Sequence, residues 1–201
     1  MSSMIDRVAR DDVLPRSTDV VVIGAGIIGV TAALTLAERG IAVVLIEKGV
    51  IAGEQSSRNW GWCRQQGRDP RELPLIIESL RLWRGLNQRI EGETGFRQCG
   101  VVYLARTAAD LAAREAWLDL TKTYGVDSRL VGRRELDQLL PGSAVPYAGA
   151  LFTPSDGRAE PALAVPAMAR AARRHGAIIL ENTAARGVET RAGAICNVVT
   201  E

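Results

Sequence analysis

Three glycines stand at a spacing that can hold a diphosphate: Gly24-Ala25-Gly26-Ile27-Ile28-Gly29 reads G-x-G-x-x-G. The motif alone is weak, but here Val20-Val21-Val22-Ile23 precedes it and an apolar helical stretch follows. In that setting the first glycine permits a tight turn and the second lets backbone approach a pyrophosphate. The third lets helix and strand pack closely. The helix N-terminus then offers free N–H groups and a positive dipole end to the anion. Glu47 closes a second apolar run about 20 residues further on, where a carboxylate accepts the ribose hydroxyls. A carboxylate there also disfavours a 2′-phosphate, which argues against NADP. The bland reading is a glycine-rich turn in an unrelated α/β protein; the full strand–turn–helix–strand–Glu context favours dinucleotide binding. Spacing does not separate FAD from NAD.

The elements that must position these residues are legible from pattern. Val20 to Ile23 and Ala42 to Ile46 read as strands buried on both faces of a parallel sheet. Ile27 to Arg39 reads as the connecting helix, closed by Gly40 at its C′ position. Val50 to Asp69 has no clean period. A helix is expected from Pro70 to about Gly92, with Leu73, Ile76, Ile77, Leu80, Trp83 and Leu86 on one face. Phe96 to Ala105 reads as one strand and Thr107 to Thr123 as an amphipathic helix. A short strand near Ser128 to Val131, a helix from Arg133 to Leu140 and an extended Ala148 to Thr153 follow. Pro161 opens a helix ending at His175-Gly176, in which Pro166 should cause a kink or break. Ala177 to Leu180 is a strand, and a hairpin turns around Arg191-Ala192-Gly193.

Bulk properties exclude several classes. The 201 residues suffice for one domain or two small ones, and a net charge of +2 gives no argument for nucleic acid. Only Lys48 and Lys122 are lysines among 25 basic residues, a bias of genome-composition type. Cys63, Cys99 and Cys196 form no CxxC pair, which argues against a zinc site or disulfide scaffold and fits a reducing cytoplasm. No metal site and no transmembrane segment are expected, since the longest apolar runs are strand-sized.

Beyond Glu47-Lys48 the chain reads Gly53-Glu54-Gln55-Ser56-Ser57-Arg58-Asn59-Trp60-Gly61. This resembles the flavin-approaching loop of the D-amino-acid oxidase family, which includes glycine and sarcosine oxidases and D-amino-acid dehydrogenases. Asp156-Gly157-Arg158-Ala159-Glu160-Pro161 resembles that family's return from substrate domain to FAD domain. The resemblance implies FAD, oxidation of a C–N bond by hydride transfer to flavin, and hydrolysis of the imine. It places Gly24, Gly26, Ile27, Ile28, Gly29, Glu47 and Lys48 at the cofactor. It also implies that Ser56, Ser57, Arg58, Asn59 and Gly61 touch the diphosphate, ribityl chain or flavin, and that the Ala185 backbone meets the adenine. The implied architecture is α/β: a Rossmann-like FAD-binding domain with the first part of an α+β substrate domain inserted. Its expected segments are a flexible leader 1–16, FAD-domain residues 17–92, substrate-domain residues 93–153, and a return at 154–201. Family members are roughly twice this length, so the chain is expected to be truncated and inactive by itself.

Several residues carry two readings. Arg64 and Arg68 either bind a substrate carboxylate through a guanidinium fork or place charge by the flavin, or are solvated arginines. Trp60 and Trp62 either wall a pocket or pack in the core, the latter being favoured. Cys63 is a buried thiol in preference to a flavin attachment point. His175 is a helix C-terminal dipole partner in preference to a catalytic base. The leading function is an FAD-dependent oxidoreductase acting on a small amine or amino acid. The alternatives are a flavin monooxygenase or NAD-dependent dehydrogenase, and a non-catalytic fragment or subunit that needs a partner.

Overall fold

A computed structural model describes residues 5–200. In chain order the elements are β1 (Val20–Ile23), α1 (Ile27–Glu38), β2 (Val43–Ile46), β3 (Trp62–Cys63), α2 (Leu73–Arg89), β4 (Arg97–Gln98), β5 (Val101–Ala105) and α3 (Ala108–Thr121). There follow β6 (Arg129–Val131), α4 (Arg133–Leu139), β7 (Gly149–Thr153), β8 (Gly157–Arg158), α5 (Pro161–Arg174), β9 (Ile178–Leu180), β10 (Ala185–Arg191) and β11 (Ala194–Thr200). The chain divides into two compact units, one holding residues up to Gly61, Leu86–Gly95 and Glu160 onward, the other holding Trp62–Gly85 and Phe96–Ala159. Residues 62–85 thus group with the second unit, whereas the resemblance implies one FAD-domain segment over 17–92.

The first unit is built on a parallel sheet of order β1-β2-β9. Val20 to Ile23 stand beside Val43 to Ile46 in register, and Val44 to Ile46 beside Ile178 to Leu180. All four residues of β2 are buried, as its unbroken apolar run requires for a central strand. Helix α1 buries Val30, Ala33, Leu34 and Ala37, and ends where Gly40 takes a left-handed φ of +74°. Helix α5 is small-residue-rich and buried over most of its length. Pro166 lies inside it without ending it. The hairpin β10–β11 is antiparallel, as its turn sequence predicts.

Residues 5–16, expected as a flexible leader, carry specific bonds in this unit. Asp6 N–H donates to Ala162 O at 3.2 Å, and Asp11 N–H donates to Ile179 O at 2.8 Å.

The second unit carries an antiparallel sheet of order β5-β7-β6 and a small one of order β3-β8-β4. Val131, Leu136 and Ala150 form its core on one side; Leu80, Phe96 and Ala159 form another, with Trp83 stacked on Phe96 at 5.9 Å. Helix α3 starts at Thr107, whose hydroxyl accepts the Asp110 N–H while Asp110 accepts the Thr107 N–H. That reciprocal cap fixes the helix entry.

The single strand expected over Phe96 to Ala105 is two. Gly100 breaks it with φ +74° and donates its N–H to Asp156 O, so β4 pairs with β8 while β5 pairs with β7. A side chain at Gly100 would come within 2.5 Å of Phe152, a long-range constraint that local pattern does not encode. Asp156 is fully buried and accepts the Gln65 N–H at 2.7 Å and the Gln66 N–H at 3.0 Å. Burial pushes its carboxyl up from the usual range, and those N–H groups pull it back. Asp156→Asn offers one acceptor where two backbone donors converge. It is expected to cost about 1–3 kcal/mol for the unsatisfied N–H. Urea unfolding of both proteins measures this, and an unchanged midpoint would show that the turn does not depend on that carboxylate.

Candidate functional site

The glycine turn is built as the sequence predicts. Gly24 has φ +98° and donates its N–H to Ile46 O at 2.8 Å, which ties the turn to the end of β2. A Cβ on Gly29 would sit 1.9 Å from Gly24 O, so nothing larger than glycine lets α1 begin there. A Cβ on Gly26 would meet Ser56 Oγ at 3.0 Å. Gly26 occupies the N-cap of α1 and has no side chain to satisfy the first-turn donors. Ser56 supplies one acceptor from outside the helix, taking the Ile27 N–H at 2.8 Å. Ile28 follows, its side chain 80% exposed, and the N–H groups of Ile28 and Gly29 belong to the helix turn that lacks intrahelical acceptors.

Glu47 lies at the end of β2, and its side chain clamps the turn. Oε2 accepts the Ala25 N–H at 2.8 Å and Oε1 accepts the Gly49 N–H at 2.9 Å. Each carboxylate oxygen has a second lone pair, so capacity for a ribose diol remains. The segment after β9 is drawn to the same place: Thr183 N–H donates to Glu47 O and Asn182 N–H to Gly49 O, both at 2.8 Å. Ala185 opens β10 just beyond and packs with Val44, Ile46 and Leu180. Lys48 is exposed beside Glu47.

Thus Gly24, Gly26, Ile27, Gly29, Glu47 and Ser56 are joined by direct bonds or contacts, with Lys48 and Ala185 at adjoining strand ends. Ser57, Arg58, Asn59 and Gly61 bond within their own loop. Ser57 donates to Glu54 O at 3.2 Å, and Arg58 pairs with Glu54 at 3.4 Å. Asn59 donates to Ser56 O and accepts the Gly61 N–H at 2.7 Å. Within the loop that lacked a period, Gln55–Ser57 forms a 3₁₀ turn held by these side-chain bonds. The Ala25 N–H, which ties Glu47 back to the turn, escaped sequence reading because alanine gives no chemical signal.

The second unit holds Arg64 and Arg68. The Arg64 guanidinium lies 5.4 Å from the Trp62 ring centre and 5.5 Å from that of Tyr103, and donates to Gln66 O. Arg68 pairs with Glu72 at 3.9 Å, while its buried Nε has no acceptor. Trp60 is 83% exposed and Trp62 46% exposed, which corrects the preference for core packing: with Gly61 between them and β3 only two residues long, they stay on the surface. His175 caps the end of α5, as expected. Among the described residues no group of acidic, cysteine or histidine side chains could hold a metal ion.

Cys63 is half-buried, and burial pushes its thiol up to about 12. It stays protonated, and so a poor nucleophile, until pH approaches that value. Iodoacetamide at pH 7.5 is therefore expected to label exposed Cys99 and Cys196 well before Cys63, as read by peptide mass spectrometry. Preferential labelling of Cys63 would contradict this.

Residues 19–201 match the family described as DAO, FAD dependent oxidoreductase. The chain is 30% identical over 180 residues to sarcosine oxidase subunit beta of an Arthrobacter species, covering 86% of this chain and 44% of that protein. It is 29% identical over 181 residues to mouse mitochondrial sarcosine dehydrogenase, covering 89% of this chain and 20% of that protein. L-amino acid deaminase from Proteus myxofaciens superposes with a TM-score of 0.94 at 34% identity, covering 100% of this chain and 46% of that one. This chain therefore spans less than half the length of each of these proteins. With its glycine turn, serine loop and Glu47 clamp in place, the chain belongs to the DAO family of FAD-dependent oxidoreductases.

Proposed function

We propose that the protein is an FAD-dependent oxidoreductase that oxidises a C–N bond of an amino acid or secondary amine. The carrying observation is the closed circuit in which Glu47 holds Ala25 and Ser56 holds Ile27 around a turn where only glycine fits. Names among the similar proteins (sarcosine oxidase subunit beta, sarcosine dehydrogenase, L-amino acid deaminase) support the substrate class. FAD, when bound, supplies the hydride acceptor, and water hydrolyses the imine that leaves.

The chain's own part is to bind and orient. The first turn of α1 receives the diphosphate, as helix N-termini do. Glu47 receives the ribose hydroxyls, and Ala185 offers backbone to the adenine. Lys48, Ser57, Arg58, Asn59 and Gly61 line the remainder. Arg64 or Arg68 is assigned to the substrate carboxylate; the support is Arg68 Nε, which is buried with no acceptor, whereas Arg64 already gives one N–H to Gln66 O. The similarity to an oxidase subunit supports a partner chain. No helix among the described residues is long and apolar enough to cross a membrane. The free cysteines support a reducing, cytoplasmic setting.

Glu47→Ala is expected to weaken FAD retention by about 1–3 kcal/mol, the worth of hydrogen bonds to a charged group, without unfolding the protein. Equilibrium dialysis against FAD, with circular dichroism as the fold control, measures it. Substrate class is tested by anaerobic addition of sarcosine, glycine and other amino acids to the flavin-loaded protein in its complete form. Bleaching of flavin absorbance by one of them is expected. Retention unchanged in Glu47→Ala, or no bleaching by any amine or amino acid, would contradict the assignment.

A further inference from the structure

Helix α5 runs through Pro166. A proline there has no N–H for the carbonyl four residues earlier, Ala162 O, and its ring crowds that carbonyl. Ala162 is 3% exposed, so water is a poor substitute. The structure supplies a donor from far away in sequence: Asp6 N–H reaches Ala162 O at 3.2 Å. The same segment is fastened at further places. Arg170 reaches Asp6 Oδ2 at 3.3 Å, Arg173 reaches Asp11 Oδ1 at 2.9 Å, and Arg173 also donates to Ala9 O. Asp11 then bonds to the outer edge of β9 through one backbone and one side-chain group. Its N–H donates to Ile179 O and its Oδ2 accepts the Ile179 N–H, each at 2.8 Å. Ile179 is the middle residue of β9, whose other side pairs with β2.

We propose that residues 5–11 are a strap that completes the proline-interrupted helix and closes the outer edge of β9, and that through α5 it steadies the cofactor turn. The second clause rests on the FAD-binding reading above. Its structural path is short: α5 packs on α1 and on the Gln55–Ser57 turn that carries Ser56, and Thr31 of α1 approaches Met168 Sδ at 3.7 Å. A buried carbonyl without a donor is costly, and an open strand edge invites pairing with other chains. The strap removes both liabilities with a segment that has no secondary structure of its own. Pro166 is tolerated because its missing donor is provided by tertiary structure.

The test is a double-mutant cycle on the full chain between deletion of residues 2–8 and Pro166→Ala, read by urea unfolding without cofactor. Alanine restores the N–H inside the helix, so the donor from Asp6 becomes redundant. The deletion is expected to lower the folding equilibrium constant about fivefold more in the Pro166 background than with Pro166→Ala. Arg170→Gln, which removes the Asp6 ion pair and leaves the N–H, is expected to be additive with Pro166→Ala. If the deletion alone prevents folding, Pro166→Ala is expected to rescue it. Equal losses in both backgrounds, or no rescue, overturns the strap. FAD dissociation, followed by flavin fluorescence, is expected to quicken on deletion and to recover with Pro166→Ala. An unchanged dissociation rate alongside a positive stability cycle overturns the cofactor clause alone, and wild-type protein that binds no FAD would instead overturn the reading beneath it.

Discussion

The contact between the start of α1 and the turn before it governs this structure. At Gly29 a single added carbon would lie 1.9 Å from Gly24 O, so helix and strand approach as closely as backbone allows. That closeness brings the first-turn N–H groups to the end of the sheet, where an anion can meet them. It also leaves a helix start with no side-chain cap, since Gly26 has none to give. The remaining site residues answer that deficit: Ser56 accepts from Ile27, and Glu47 accepts from Ala25 and Gly49.

Support for the turn comes from β2 and α5. The fully buried β2 places Glu47, and the β9–β10 connection bonds back to Glu47 and Gly49. Helix α5 packs behind α1, and its small residues permit the close approach. In the second unit, buried Asp156 does comparable work by gathering the N–H groups of Gln65 and Gln66 between Arg64 and Arg68. In both places a carboxylate orders a loop by collecting backbone donors.

The βαβ unit was legible in the sequence because its constraints are local. A β-branched run, three spaced glycines and a terminal carboxylate each follow from the positions nearest them. The capping box at Thr107 and Asp110 is local in the same way. What escaped was long-range. The break at Gly100 depends on Phe152, 52 positions away, and the persistence of α5 through Pro166 depends on Asp6. The double use of Glu47 was hidden because one of its donors belongs to an alanine backbone. The exposure of Trp60 was not legible, because a large apolar side chain reads as core until its tertiary neighbours are known.

The central proposal is that this turn, with Ser56 and Glu47, holds the FAD that the family binds. The most direct measurement is a titration of the purified protein in its complete form with FAD, followed by quenching of flavin fluorescence, with NAD as competitor. The account predicts saturable binding near one FAD per chain that NAD does not displace. Saturable binding of NAD together with no uptake of FAD would contradict it.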